Sequence, residues 1–191
     1  KKIKFIDTNF CTTHPSDLKS LKGEKISYIP NPVDDSFENL KIFSNKNFKY
    51  DLFFALSHGV HRGSLKKGKI DLREIFLKKL VKLNNELKFN FFGIDKKQPI
   101  WAENFKTELS KCKMALNLSQ GSPLKFYSSD RIAQLMGNGI LTFVDIRTKL
   151  NKLFNHNEVV FYKNIEDLSK KINKYKNSQN LRNKIAINGM N

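Results

Sequence analysis

MALNLSQGSPLKFYSSDRIAQLMGNGILTFVD, Met114 to Asp145, reads as strand, polar loop, helix, glycine turn and second strand. Met114 to Leu118 is a short apolar run, the pattern of a strand buried on both faces. Gly121 and Pro123 punctuate the loop that follows. Ser128, Ser129 and Asp130 are all residues that cap a helix N-terminus. Ile132, Leu135 and Met136 give the helix an apolar face, and Gly137 and Gly139 stop it. Ile140 to Val144 is the second strand, closed by Asp145. Such a unit makes a right-handed crossover in a parallel sheet, so the chain is expected to be α/β with helices on both faces. The loop then lies at the carboxyl end of its strand, where open α/β sheets bind ligands.

That loop holds what a phosphate needs. A helix N-terminus offers unpaired N–H groups and partial positive charge, with Lys125 just before it and Arg131 in its first turn. Asn117 and Ser119 sit at the strand tip, and Phe126 and Tyr127 lie in the loop. The same residues also fit a plain helix cap with a solvated arginine, and the chemistry alone leaves both readings open.

The segment KFYSSDRIAQLMGNGILTFVD resembles the nucleotide-sugar-binding half of group-1-type glycosyltransferases, in the branch related to spore-maturation proteins. Tyr28-Ile-Pro-Asn-Pro-Val-Asp34 is similar to the connector between the two lobes of a GT-B enzyme, and Asn157-Glu-Val-Val-Phe-Tyr162 to the closing strand. The resemblance implies a Rossmann-like lobe at 50–177, a connector at 32–49, the tail of an N-terminal acceptor lobe at 1–31 and a bracing helix at 178–191. It further implies a nucleotide-sugar donor used as substrate without a cofactor or metal, and a surface glycan or glycolipid as acceptor. Arg131 and Arg62 then serve the diphosphate. Gly59, Lys66, Asn117, Ser119, Lys125, Tyr127, Ser128, Ser129, Asp130 and Gln134 hold the donor. Gln134 departs from the family, where many relatives carry Glu; it can hydrogen-bond but bears no charge. An inactive GT-B-like binding domain is therefore the alternative to an enzyme.

The remaining signals are broader. A chain of 191 residues, 39% hydrophobic with 16 Phe, can bury a core. No apolar run is long enough to span a membrane and no signal peptide is visible, so a cytoplasmic site is expected. Cys11 and Cys112 have neither disulfide-framework nor metal spacing. The net charge of +17 is carried mostly by Lys, with only five Arg, in every quarter of the chain. Nucleic-acid readers cluster basic residues and favour Arg, so nucleic acid is not the expected partner and a basic nucleic-acid-binding α/β domain is the weakest alternative. Attraction to anionic nucleotides or to the inner face of an anionic membrane is a direct consequence.

Elsewhere, Tyr50 to Leu56 reads as a buried strand whose loop carries His58, Gly59, Arg62, Lys66 and Lys67. Either that loop faces the donor or it is a basic glycine loop and no more. Asp71 caps a helix whose apolar positions are Leu72, Ile75, Phe76, Leu80 and Leu83. Ile100 to Cys112 reads as a helix with Trp101, Phe105 and Leu109 on one face, which favours a core role for Trp101 over stacking on a ligand. His14 lies in a turn and is read as structural; residues 36–49 are expected to cross the surface.

Overall fold

The computed structural model describes residues 7–18, 25–56, 60–61, 64–65, 71–119 and 122–191, with 60–61 and 64–65 described by backbone alone. The core is a five-stranded, all-parallel sheet. Its strands are β3 (Tyr50–Ala55), β6 (Phe89–Phe92), β7 (Cys112–Asn117), β8 (Leu141–Asp145) and β9 (Val160–Tyr162), in the spatial order β6-β3-β7-β8-β9. Two short pairs lie outside it: β1 (Asn9–Cys11) runs parallel to β2 (Ile26–Tyr28), and β4 (Val60–His61) pairs antiparallel with β5 (Ser64–Leu65).

Both faces of the sheet are covered, which is why its strands read as unbroken apolar runs. On one face Leu52, Phe54, Met114, Leu116 and Phe143 pack against α1 (Leu72–Leu83) and α4 (Ile165–Lys176) through Leu77, Leu80, Leu168 and Ile172. On the other, Phe53, Ala55 and Ala115 pack against α2 (Ala102–Ser110) and α3 (Asp130–Gly137) through Phe105, Leu109 and Leu135. α5 (Gln179–Met190) returns across β8 and α3. Among the described residues no helix is long and apolar enough to cross a membrane.

Two local readings change in the fold. The inward face of α1 is Arg73, Leu77 and Leu80, whereas Leu72, Ile75 and Leu83 face outward. An ion pair with Asp71 lets Arg73 take an inner position that apolar periodicity assigns elsewhere. Residues 36–49 do more than cross the surface. Ile42 is buried, Leu40 N donates to Asn138 Oδ1 (3.2 Å), and the Phe43 ring lies where a side chain on Gly139 would project. Residues 146–154 form two 3-10 turns, Ile146–Thr148 and Leu150–Lys152, because Lys149 between them adopts a left-handed conformation (φ 59°).

Cys112 opens β7 fully buried, and burial pushes its thiol up to about 12. A thiolate is therefore scarce there at neutral pH. Thiol titration of the native chain at pH 8 is expected to modify Cys11, which is part-exposed, and to reach Cys112 only on unfolding. Rapid labelling of both in the native state would contradict this burial.

Candidate functional site

The strand order reverses direction between β3 and β7: the chain moves from β3 outward to β6, then crosses back to β7. Crevices at the carboxyl ends of such strands are where parallel sheets hold ligands. A cavity of about 530 Å³ opens at this position, walled by Ala55 and Leu56 after β3 and by Ser119 after β7.

Arg131 spans the gap. Its Nε donates to Ala55 O (3.2 Å) and its Nη1 to Leu118 O (3.1 Å), so one guanidinium ties together the ends of both strands. The group also lies over the Phe54 ring, 4.9 Å from its centroid. Burial, with a smaller contribution from nearby Arg73, pushes its pKa down to about 10, which still leaves it charged at neutral pH. A half-buried cation held by carbonyls, with no carboxylate hydrogen-bonded to it among the described residues, is set up to receive an anion.

The α3 terminus adds donors. Ser129 is the N-cap, yet its side chain makes no capping bond. The amides of Ser129, Asp130 and Arg131 have no hydrogen-bond partner among the described residues. Ser129, Asp130, Arg131 and Gln134 all line the cavity, as does Tyr127. An uncapped helix start facing a cavity is an anion-binding arrangement. The Asp130 carboxylate is turned to Asn31, accepting from Nδ2 at 2.8 Å.

Three expected residues lie behind this lining. Ser128 is buried and holds the chain after β2: its hydroxyl accepts from Asn31 N (3.4 Å), and its amide donates to Thr12 O (2.8 Å). Lys125 turns toward the N-terminal segment, with Nζ 3.3 Å from His14 Nε2 and its amide donating to Asp17 Oδ2 (2.7 Å). Phe126 between them adopts φ 56°, which redirects the loop. Asn117 is buried at the end of β7, and its Oδ1 has no partner among the described residues. Gly59, Arg62 and Lys66, together with His58 and Lys67, lie outside the described residues.

Two cavity residues escaped the sequence reading. Arg73 is held bidentate by Asp71 (Nε–Oδ1 3.1 Å, Nη2–Oδ2 2.8 Å) and brings a second guanidinium to the wall. The clue was an Asp-x-Arg spacing at a helix cap, which apolar periodicity does not register. Trp101 is 49% exposed and lines the cavity. It precedes α2 as N-cap, and Ala102 follows at φ 50°, so Trp101 is out of phase with Phe105 and Leu109. No group of three or more His, Cys, Asp or Glu side chains converges among the described residues.

Comparison with known proteins gives a consistent result. The family described as "Glycosyl transferase-like" matches residues 73–191; the match does not single out the spore-maturation branch. Curated proteins yield no match in sequence. Among solved structures, TarM is similar with a TM-score of 0.65 and 14% identity, over 99% of this chain and 40% of that one. The DNA-modifying enzyme β-glucosyltransferase, solved with and without its substrate uridine diphosphoglucose, is similar with a TM-score of 0.55 and 13% identity, over 95% of this chain and 60% of that one. The chain thus spans less than two thirds of the length of either structure, and at these identities the likeness is one of fold.

Proposed function

Because the chain belongs to the Glycosyl transferase-like family, we propose that it supplies the donor-binding lobe of a metal-independent GT-B glycosyltransferase. The donor is a nucleotide sugar and the acceptor a surface glycan or glycolipid. Residues 50–177 form the donor lobe, 32–49 the connector, 1–31 part of the acceptor lobe and 178–191 a brace. The enzyme works in the cytoplasm, at the inner membrane face where such acceptors are reached. One observation carries this reading: Arg131 and the uncapped start of α3 meet at the switch point of the sheet, on a cavity that admits a ligand.

The chemistry follows from that geometry. In transfer, the bond from the anomeric carbon to the diphosphate oxygen breaks, and a bond to an acceptor hydroxyl oxygen forms. The leaving diphosphate keeps the electron pair, and the acceptor's proton passes to a base. Charge therefore builds on the diphosphate, and fixed cations and amides lower the barrier by meeting it there. Arg131, Arg73 and the amides of Ser129 to Arg131 fill that role, with Arg62 and Lys66 contributing from the loop after β3. Ser119 and Gln134 hold donor hydroxyls, with Asn117 buried behind them, and Tyr127 and Trp101 pack on base or sugar.

Trp101 is the only tryptophan, so it reports on its own cavity. Titration with a panel of nucleoside diphosphates and their sugar conjugates is expected to change its fluorescence saturably for at least one base. No saturable change with any of them would overturn the reading. Gln134 on the cavity wall supports the alternative of a binding domain without turnover. Saturable binding with neither transfer nor donor hydrolysis, and activity gained in Gln134→Glu, would favour it.

A further inference from the structure

The sheet has a second basic hollow at its opposite end. A cavity of about 400 Å³ lies at the amino ends of β3 and β7, lined by Lys46, Lys113, Lys176 and Arg182 with Phe48 and Gln179 among its walls. It is separated from the donor cleft by the length of β3, roughly 17 Å at about 3.3 Å per residue. No acidic side chain lines it among the described residues.

The charge there is unbalanced. Behind the wall, the buried Asp51 carboxylate accepts from Lys113 Nζ (2.7 Å) and Lys88 N (2.9 Å), with Lys176 Nζ at 3.7 Å. One carboxylate thus serves three cations, Lys113, Lys176 and Arg182. Arg182 is the telling member. It is 6% exposed, and its Nη1 donates to the carbonyls of Tyr175 and Lys176, both at 2.7 Å. Its Nε and Nη2 have no hydrogen-bond partner among the described residues, and the carboxylate that acts on it, Asp51, does so through space without a hydrogen bond. A guanidinium whose one nearby carboxylate is shared with two lysines gains from an anion that completes it.

Helix α5 points its start at the same hollow. Its N-cap, Ser178, makes no side-chain capping bond, and the amides of Gln179, Asn180 and Leu181 have no partner among the described residues. Free amides, a buried guanidinium and lysine ammonium groups around one opening are the donor set of a phosphate site.

We propose that this hollow is a second anion site, taking a phosphate group by its oxygens between Arg182, the α5 amides and the Lys46 and Lys176 ammonium groups. The phosphate is either the headgroup of an anionic lipid or a soluble phosphate ester. In either case it is held away from the donor, so the site tethers or regulates and takes no part in transfer.

Inorganic phosphate titrated into the chain, followed by amide NMR, tests this residue by residue. Shifts are expected at residues 178–182, separate from any at 129–131. Lys46→Gln/Lys176→Gln is expected to weaken binding at the amino-end site about fivefold or more, while Lys46→Arg/Lys176→Arg retains it; the Trp101 response to nucleotides stays unchanged in both. Phosphatidylglycerol vesicles, compared with phosphatidylcholine alone, separate the sources. Co-sedimentation lost in the Gln variant assigns a lipid headgroup, and phosphate binding without vesicle binding assigns a soluble ester. No shift at 178–182, or shifts there that persist unchanged in the Gln variant, would overturn the proposal.

Discussion

Arg131→Ala is expected to abolish measurable nucleoside diphosphate binding. The loss should be about 3 kcal/mol, or more than about 100-fold in affinity, since a charge-assisted contact to phosphate and its orientation vanish together. The same change leaves the carbonyls of Ala55 and Leu118 without their shared donor. Some thermal stability is therefore lost as well, and circular dichroism must confirm that the variant is folded at the assay temperature. Arg131→Lys separates the two effects: it keeps the charge but lacks the planar fork that reaches both strand ends at once. It should recover binding in part and the bridge hardly at all. The pH dependence has a fixed sign. A guanidinium with its pKa pushed down to about 10 is charged from neutral pH to about 9, so affinity is level there and falls as pH rises through 10. Unchanged nucleotide affinity in a folded Arg131→Ala protein would remove this loop from the site.

Gly93→Ala is expected to be the most damaging glycine-to-alanine change among the described residues. Gly93 follows β6 at φ 80°, and a Cβ there would lie 2.0 Å from the Leu56 carbonyl oxygen and 2.9 Å from its carbon. Backbone has no rotamer by which to move aside, and Leu56 is itself held by its amide bond to Phe92 O (3.0 Å). Backbone strain and overpacking together should cost about 3 kcal/mol or more. For a domain of this size that is a fall in Tm of roughly 6–12 °C. The loop that Gly93 opens leads to Ile100 and Trp101, so a variant that folds should also show a weaker Trp101 response to nucleotide. A Tm within about 1 °C of the parent would mean that the turn can shift without resistance.

The parts of the site that were legible in the string are those set by neighbours in the chain. Ser129 and Arg131 could be placed because capping preference and first-turn position are local properties of α3. The clean capping by Asp71 of Arg73 N, at 2.8 Å, belongs to the same class. Trp101 was misplaced because a four-residue spacing is informative only once the helix has begun, and α2 begins one residue later. Arg73 was missed because its inward position depends on a side-chain partner, which periodicity of apolar residues cannot register.

Buried apolar runs, caps and glycine stops were enough to establish an α/β chain with a parallel sheet, since each acts over a few residues. What they could not settle was convergence. The Arg131 guanidinium meets the carbonyl of Ala55, a residue 76 positions earlier, only because β3 and β7 lie side by side and α3 follows β7. Lys125 and Ser128 sit in the same short loop as Ser129, yet the chain on either side of β2 packs against them and turns them from the cavity. Those outcomes depend on which distant segments occupy each side of a strand end, and that choice is made by packing across the whole sheet.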